Sequence, residues 1–141
     1  MNVVDTNILL YSIDRNEPTK QQLARQLLTI LQASNEPTWM LWQVLGELTQ
    51  QLRRWRQQDR LTEGEFTQHV RVFRYLFPLI IPSPDAFDQA LLLSSRFSLS
   101  HWDSMILGAS KVAGAKRVYT EDMGAPRTID GIELINPFIK K

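Results

Sequence analysis

Short apolar stretches alternate with longer segments of helical periodicity along the whole chain, and this alternation constrains the fold more than any other feature. Short runs that are apolar on both sides are typical of buried parallel strands, which need a crossover segment between them. The pattern therefore predicts an α/β fold, a three-layer sandwich with a central, largely parallel sheet of four to five short strands flanked by helices. The expected strands cover residues 3–4, 38–41, 79–81, 117–119 and 132–135.

Apolar residues at helical spacing separate these strands. The predicted helices cover residues 6–13, 42–57, 61–77, about 84–97 and about 100–113, and one more begins at Pro18. The length of 141 residues fits a single domain over residues 1–141.

Composition excludes several kinds of site. The chain has no cysteine, which rules out a disulfide scaffold, a thiolate zinc site and a cysteine nucleophile. A net charge of +1 restricts any nucleic-acid surface to a local patch. The N-terminus lacks the features of a signal peptide, and no apolar run approaches the roughly 18 residues of a membrane span. We therefore expect a cytoplasmic protein that does not enter a membrane.

Carboxylates follow two of the predicted strands at the positions where the strands end. Asp5-Thr6-Asn7 follows the first strand, and Thr120-Glu121-Asp122 follows the fourth. Ligands of open α/β sheets bind outside the carboxyl ends of the strands. Taken alone, Asp5 is better explained as a helix cap, and Asp122 as part of a turn before Gly124.

Two further acids lie on helices but not on the face opposite the apolar stripe. At 3.6 residues per turn, Glu47 lies about 60° from Val44, and Asp103 lies about 60° from Ile106. A glutamate that serves only solubility would normally lie opposite. Glu47 is also consistent with a residue at the edge of the stripe that extends into water, and Asp103 with a capping box opened by Ser100.

As a set, these four acids are more specific than any one of them. Two carboxylates about 4 Å apart repel by about 4 kcal/mol at an effective dielectric of about 20, so a cluster needs protons or a cation. Oxygen ligands without cysteine or a histidine pair favour Mg²⁺ or Mn²⁺ over zinc. Mg²⁺ held by acids is typical of displacement at phosphorus.

The same residues resemble a known family. The sequence is similar to PIN-domain nucleases, and within them to VapC-type toxins, in four motifs and in its ending, which are Asp5-Thr6-Asn7, Glu47-Leu48, Trp102-Asp103-Ser104-Met105-Ile106 with Ala109, Thr120-Glu121-Asp122, and Ile135-Asn136-Pro137-Phe138. The resemblance covers nearly the whole chain, in order. One departure is Ser104, where many members have alanine.

The resemblance implies a PIN-like fold and a Mg²⁺- or Mn²⁺-dependent endoribonuclease that is the toxin of a toxin–antitoxin pair. It implies a homodimer and a small antitoxin whose C-terminal segment covers the acidic cleft. Asp122 is preferred over Glu121 because the family motif has its acid two residues after the threonine. Carried over to this chain, the catalytic metal ligands are Asp5, Glu47, Asp103 and Asp122, and the supporting polar residues are Thr6, Asn7 and Thr120.

Two surfaces are candidates for contact with partners. Gln51 and Arg54 continue the ridge of Glu47 along one helix, and with Arg15 they are candidates for contact with the RNA backbone. A solvated helix end, with arginines that complement the helix dipole, explains Arg54 equally well. A partner groove is also expected around a set of aromatic side chains, namely Trp39, Trp42, Phe73, Tyr75 and Phe77.

Two alternative functions compete with the nuclease. A catalytically silent module of the same fold, binding RNA or protein, would keep the pocket without turnover. A small-molecule phosphatase of the haloacid dehalogenase type also has an aspartate after strand one, but its second aspartate would fall at Asn7. No glycine-rich phosphate loop or G-x-S-x-G elbow occurs in the sequence.

Overall fold

The structure is a computed structural model that describes residues 1–139. Within this range six helices and six strands occur, and a pair of helices follows each of the first three strands. The helices are α1 (Thr6–Tyr11), α2 (Pro18–Ala33), α3 (Trp42–Gln57), α4 (Glu63–Leu76), α5 (Pro84–Phe97) and α6 (His101–Ala113). The strands are β1 (Asn2–Val4), β2 (Thr38–Leu41), β3 (Leu79–Ile80), β4 (Arg117–Tyr119), β5 (Arg127–Ile129) and β6 (Ile132–Ile135).

All strands form one sheet in the order β3-β2-β1-β4-β6-β5. Every neighbouring pair is parallel except β5 and β6, which are antiparallel. The chain first proceeds from β1 outward to β3 and then returns to the other side of β1 with β4. Right-handed crossovers with this reversal put helices on both faces of the sheet. The reversal also makes the boundary between β1 and β4 the switch point where ligands bind in such sheets.

The predicted fold class is confirmed, with one strand more than the sequence pattern indicates. β5 was not predicted, because only Ile129 of its three residues is buried and it therefore carries no apolar run. Its partner β6 has the expected alternation, with Ile132 and Leu134 buried. Helix α1 is shorter than expected and ends at Tyr11, where Ser12 caps it.

Helix α3 has the predicted bounds and shows how the core fixes the site. Val44, Leu48, Leu52 and Trp55 recur at helical spacing and are buried against the rest of the core. This burial sets the rotation of α3 about its axis. Glu47, at the shoulder of the buried face, is consequently held near the first turn of α1, which packs against α3.

The expected aromatic groove is wrong in its composition. Phe73 and Phe77 are buried in the hydrophobic core, so neither is available to a partner. Tyr75 is exposed on α4, whereas Trp42 is exposed at the start of α3. The helical wheel separates these positions, because Phe77 lies about 40° from Phe73 whereas Tyr75 lies about 160° away on the opposite face. No helix within residues 1–139 has the length and apolar character required to cross a membrane.

Candidate active site

The site is built around Asp5, which lies between β1 and α1 at the switch point of the sheet. Its side chain is 4% exposed. One carboxylate oxygen accepts a hydrogen bond from the backbone N–H of Thr6 at 2.7 Å, so Asp5 also caps α1. The other oxygen accepts from the Thr120 hydroxyl at 2.7 Å. Because β1 and β4 are parallel neighbours, the residues that follow them meet at one edge of the sheet. The Asp5 side chain thus caps α1 and also belongs to the candidate site.

Glu47 is joined to this corner through a second threonine. The Thr6 hydroxyl donates to Oε2 of Glu47 at 2.7 Å, while Gln43, one turn earlier on α3, donates to Oε1 at 2.7 Å. The same Gln43 amide donates to the backbone carbonyl of Trp102 at 3.1 Å. Gln43 thereby connects the helix that carries Glu47 with the first turn of α6, which carries Asp103.

Asp122 lies at the outer rim of the group. Asn7 donates to its Oδ2 at 3.0 Å, and the Asp122 backbone N–H donates to the Thr120 hydroxyl at 3.0 Å. Thr120 therefore contacts both strand-end acids of the set, donating to Asp5 and accepting from Asp122.

The fourth acid, Asp103, lies in the first turn of α6. Its backbone N–H donates to the Ser100 hydroxyl at 3.3 Å, which is one half of the capping box. The reciprocal bond from the Asp103 side chain is absent among the described residues, and its carboxylate has no hydrogen-bond partner there. The capping function therefore leaves this carboxylate free for another partner.

The acids influence one another electrostatically. Burial raises the pKa of Asp5 to about 6, against the opposing effect of its hydrogen bonds from Thr120 and Thr6, and the charges of Glu47 and Asp122 raise it further. Burial also raises the pKa of Asp122, and the charges of Glu121, Asp103 and Glu47 add to this rise. The charges of Glu47 and Asp122 thus act on Asp5, and those of Asp103 and Glu47 act on Asp122.

Glu121 is directed away from that region. Its carboxylate accepts a hydrogen bond from the Tyr11 hydroxyl at 2.7 Å and forms an ion pair with the Lys20 ammonium at 2.9 Å. The bond to Glu121 raises the pKa of Lys20. Glu121 thus connects the loop after β4 to α1 and α2. The arrangement favours Asp122 over its neighbour as the fourth member of the acidic set.

The donor chemistry of the acidic set fits a hard divalent cation. The donor atoms of the four acids are all oxygens. No lysine or arginine of residues 1–139 forms an ion pair with any of these acids. In the part of the chain that the structure describes, no three acidic or histidine side chains are placed closely enough to form a metal-binding group.

The candidate RNA contacts lie outside the acidic set. Gln51 is half-buried on α3, and Arg54 is exposed one turn further on. The Arg54 side chain makes no hydrogen bond or ion pair within residues 1–139. Arg15 is exposed in the loop after α1, beside Glu65 and His69 of α4.

Sequence reasoning missed three residues that support the site, namely Gln43, Tyr11 and Lys20. Gln43 had a signal, because residues four apart on a helix are neighbours and Gln43 precedes Glu47 by four. Tyr11 and Lys20 had none, since their contact with Glu121 depends on the tertiary arrangement of α1, α2 and the loop after β4.

Comparisons with known proteins agree with this architecture. The family model described as PIN domain matches residues 3–129. A toxin–antitoxin complex from Klebsiella pneumoniae contains a chain with 20% identity and a TM-score of 0.68, and 98% of each chain is covered. VapBC2 from Rickettsia felis, solved with a DNA fragment from its promoter, gives 15% identity and a TM-score of 0.67 over 94% of this chain and 96% of that chain.

A third solved structure is similar to the same extent. VapC20 from Mycobacterium tuberculosis, described as a toxin that cleaves the sarcin–ricin loop, gives 16% identity and a TM-score of 0.63. The alignment covers 94% of this chain and 99% of that chain. At these identities the structural similarity establishes a shared fold. Comparison of the sequence with curated proteins gave no match.

Proposed function

The chain belongs to the PIN-domain family, and from this premise we propose that it is a Mg²⁺- or Mn²⁺-dependent endoribonuclease acting as the toxin of a toxin–antitoxin pair. The observation that carries the proposal is the set of acids at the β1–β4 switch point. Asp5, Glu47, Asp103 and Asp122 come from four segments of the chain. Burial and the charges of the set raise the pKa of Asp5 and of Asp122, and no lysine or arginine among the described residues forms an ion pair with any of the four acids.

The four acids would hold the metal ion, which supplies an activated water and offsets negative charge on the phosphate during hydrolysis. The chain's own polar residues orient the carboxylates. Thr120 donates a hydrogen bond to Asp5, and Asn7 donates one to Asp122. Glu47 accepts one hydrogen bond from Thr6 and another, at its second carboxylate oxygen, from Gln43. These bonds fix most of the acidic set before substrate arrives, which is the condition for efficient electrostatic stabilisation.

Two partners complete the proposal. A small antitoxin is supported by the similarity of the fold to chains in two structures described as a toxin–antitoxin complex and as VapBC2. A homodimer is supported by an apolar groove of about 270 Å³ beside the acidic set. Three aromatic side chains border this groove and are about half exposed, Trp42 at 56%, Phe87 at 48% and Trp102 at 61%. Exposed apolar surface of this kind marks an interaction site.

Cleavage of a defined panel of single-stranded and structured RNAs tests the nuclease. We expect the wild type to cleave in Mg²⁺ and not in a chelator. Asp5→Asn should lose activity, while Asp88→Asn, which neutralises an exposed acid on α5 outside the site, should retain it. Cleavage that persists in the chelator would refute the metal mechanism, and RNA binding without cleavage would assign a catalytically silent module.

A further inference from the structure

A polar cleft lies at the end of α1 and α3 remote from the acids. It has a volume of about 280 Å³ and is enclosed by the loop after α1, the start of α2, the end of α3 and one face of α4. We call it the arginine cleft. Its polar lining includes three arginines and three neutral or weakly basic side chains, Arg15, Arg25, Arg60, Asn16, Gln21 and His69.

The arginines are held in place to different degrees. Arg60 forms an ion pair with Asp14 at 3.0 Å and stacks on the Trp55 ring at 4.2 Å. Arg25 donates through Nε to the Ser12 carbonyl at 2.8 Å. Within residues 1–139, the two terminal amino groups of Arg25 and the whole guanidinium of Arg15 make no hydrogen bond or ion pair. The cleft therefore offers preoriented donors that are not used inside the chain.

The charge balance of the lining is positive. Glu65 is its one acid, and the Glu65 carboxylate is already engaged in the capping box at the start of α4. Burial lowers the pKa of His69, with Glu65 opposing this effect and Arg15 adding to it. The cleft thus combines surplus guanidinium charge with a neutral imidazole and two amides. That combination suits an anion with several oxygens.

The arginine cleft and the acidic set lie at opposite ends of α1, and both lie beside α3. At the first turn of α1, Thr6 bonds to Glu47, and just beyond the other end of α1, Asp14 bonds to Arg60 after α3. The two helices therefore run side by side in the same direction. Eight residues separate Glu47 from Trp55, which corresponds to about 12 Å along α3. Gln51 and Arg54 lie on α3 between the two sites.

We propose that the arginine cleft is a phosphate subsite that holds the RNA backbone at a phosphodiester other than the one cleaved. The inference rests on the proposed ribonuclease function. A cluster of carboxylates repels a polyanion, so a strand directed to Asp5 and Glu47 needs positive charge nearby along its path. Guanidinium groups bind phosphate oxygens in a bidentate geometry, and this site lies along the helix that carries Glu47.

RNA binding in the presence of a chelator tests the subsite separately from catalysis. Arg15→Ala is the informative variant because Arg15 is exposed and its guanidinium makes no hydrogen bond or ion pair within residues 1–139. Each lost phosphate contact should make the slope of log K against log salt concentration less negative by about 0.7 for single-stranded RNA. Arg15→Lys should keep the slope because it keeps the charge. Arg71→Ala, which removes the same charge from an exposed position of α4 outside the cleft, should also keep it.

The salt slopes of the variants decide the proposal. A reduced slope in Arg15→Ala alone supports it. Equal slopes in the wild type and Arg15→Ala overturn it, and so does a result in which Arg15→Ala weakens binding of a poly-glutamate peptide but not of RNA. If the wild type binds RNA with the Arg15-dependent slope but cleaves nothing in Mg²⁺, the proposed nuclease fails, whereas the arginine cleft stands as a binding site for the RNA backbone.

Discussion

At the scale of single residues, a threonine hydroxyl fixes each of the two inner carboxylates. Thr120 donates to Asp5 and Thr6 donates to Glu47, both at 2.7 Å. Hydrogen bonds of this kind favour the charged form, whereas burial opposes it, and for Asp5 burial prevails. The buried acid at the centre of the site is thus held in position for a ligand at a cost to the stability of the metal-free fold.

The first prediction concerns how the stability of the metal-free fold depends on pH. The pKa of Asp5 rises from 3.8 to about 6 on folding, so its protonation favours the folded state. This contribution is complete below about pH 3.8, is lost as pH rises through about 6, and amounts to about 3 kcal/mol. Urea unfolding in a chelator should therefore show a less stable wild type at about pH 7.5 than at about pH 5.

Asp5→Asn should reduce this pH dependence and stabilise the metal-free protein at neutral pH. Asp88→Asn is the control, because an exposed acid should leave the dependence unchanged. A pH profile of Asp5→Asn that coincides with that of the wild type would contradict the assignment of the effect to Asp5.

The second prediction separates the two neighbouring acids after β4. Asp122→Asn should lower RNA cleavage at least about tenfold, because it removes a carboxylate from the acidic set. Glu121→Gln should have a smaller effect on cleavage, since Glu121 contacts Tyr11 and Lys20 instead. Cleavage rates at saturating Mg²⁺ measure both. A larger loss in Glu121→Gln than in Asp122→Asn would reverse the assignment.

At the scale of elements, the position of Asp103 depends on how closely α6 approaches α5. Gly108 of α6 lies against the backbone of α5, where an added Cβ would come within 2.5 Å of the Ala86 carbonyl oxygen and 2.7 Å of the Ala90 nitrogen. Backbone atoms cannot move aside as a flexible side chain can. Glycine at this position therefore sets the distance between the two helices, and through it the placement of Asp103.

The third prediction tests this contact. Gly108→Ala should destabilise the fold by about 1–3 kcal/mol, because the helices must separate. Gly46→Ala is the matched control on α3, where no atom lies within 4 Å of the added Cβ. It should stabilise by about 0.5–1 kcal/mol through helix propensity. Urea unfolding of both variants provides the comparison, and equal stability of the two would contradict the packing argument.

Sequence patterns predicted elements well where local chemistry determines them. The bounds of α3 and α5 match because buried positions recur at helical spacing and proline marks the start of α5. The same reasoning identified Asp5 and Glu47 as acids in unusual positions. It missed β5, which has too little buried surface, and the contacts of Glu121, which join residues more than 100 positions apart.

At the scale of the whole molecule, the order of strands brings the acids together. Residues 5 and 120 are far apart in sequence, and only the pairing of β1 with β4 makes them neighbours. Nothing in the periodicity of the chain specifies this order. The exposed aromatic groove beside the site is likewise a product of three elements, α3, α5 and α6, and was not visible as a pattern in any one of them.

The fourth prediction concerns that groove. If it is the dimer interface, Phe87→Glu should shift the protein toward the monomer, because a buried unpaired charge opposes association. Leu92→Glu is the control on the same helix, since Leu92 is 55% exposed but does not line the groove. Sedimentation velocity over a range of concentrations measures both. A dimer that tolerates Phe87→Glu, or a wild type that is monomeric throughout, would contradict the proposed interface.

The most direct test of the central claim is calorimetric titration of Mn²⁺ into the metal-free protein at about pH 7.5, where Asp5 is ionised. The acidic set predicts saturable binding to the wild type. Binding should weaken at least about tenfold in Asp5→Asn and in Glu47→Gln, and remain unchanged in Asp88→Asn. A wild type that binds no Mn²⁺, or an Asp5→Asn variant that binds it as well as the wild type, would contradict the assignment of these acids as a metal site.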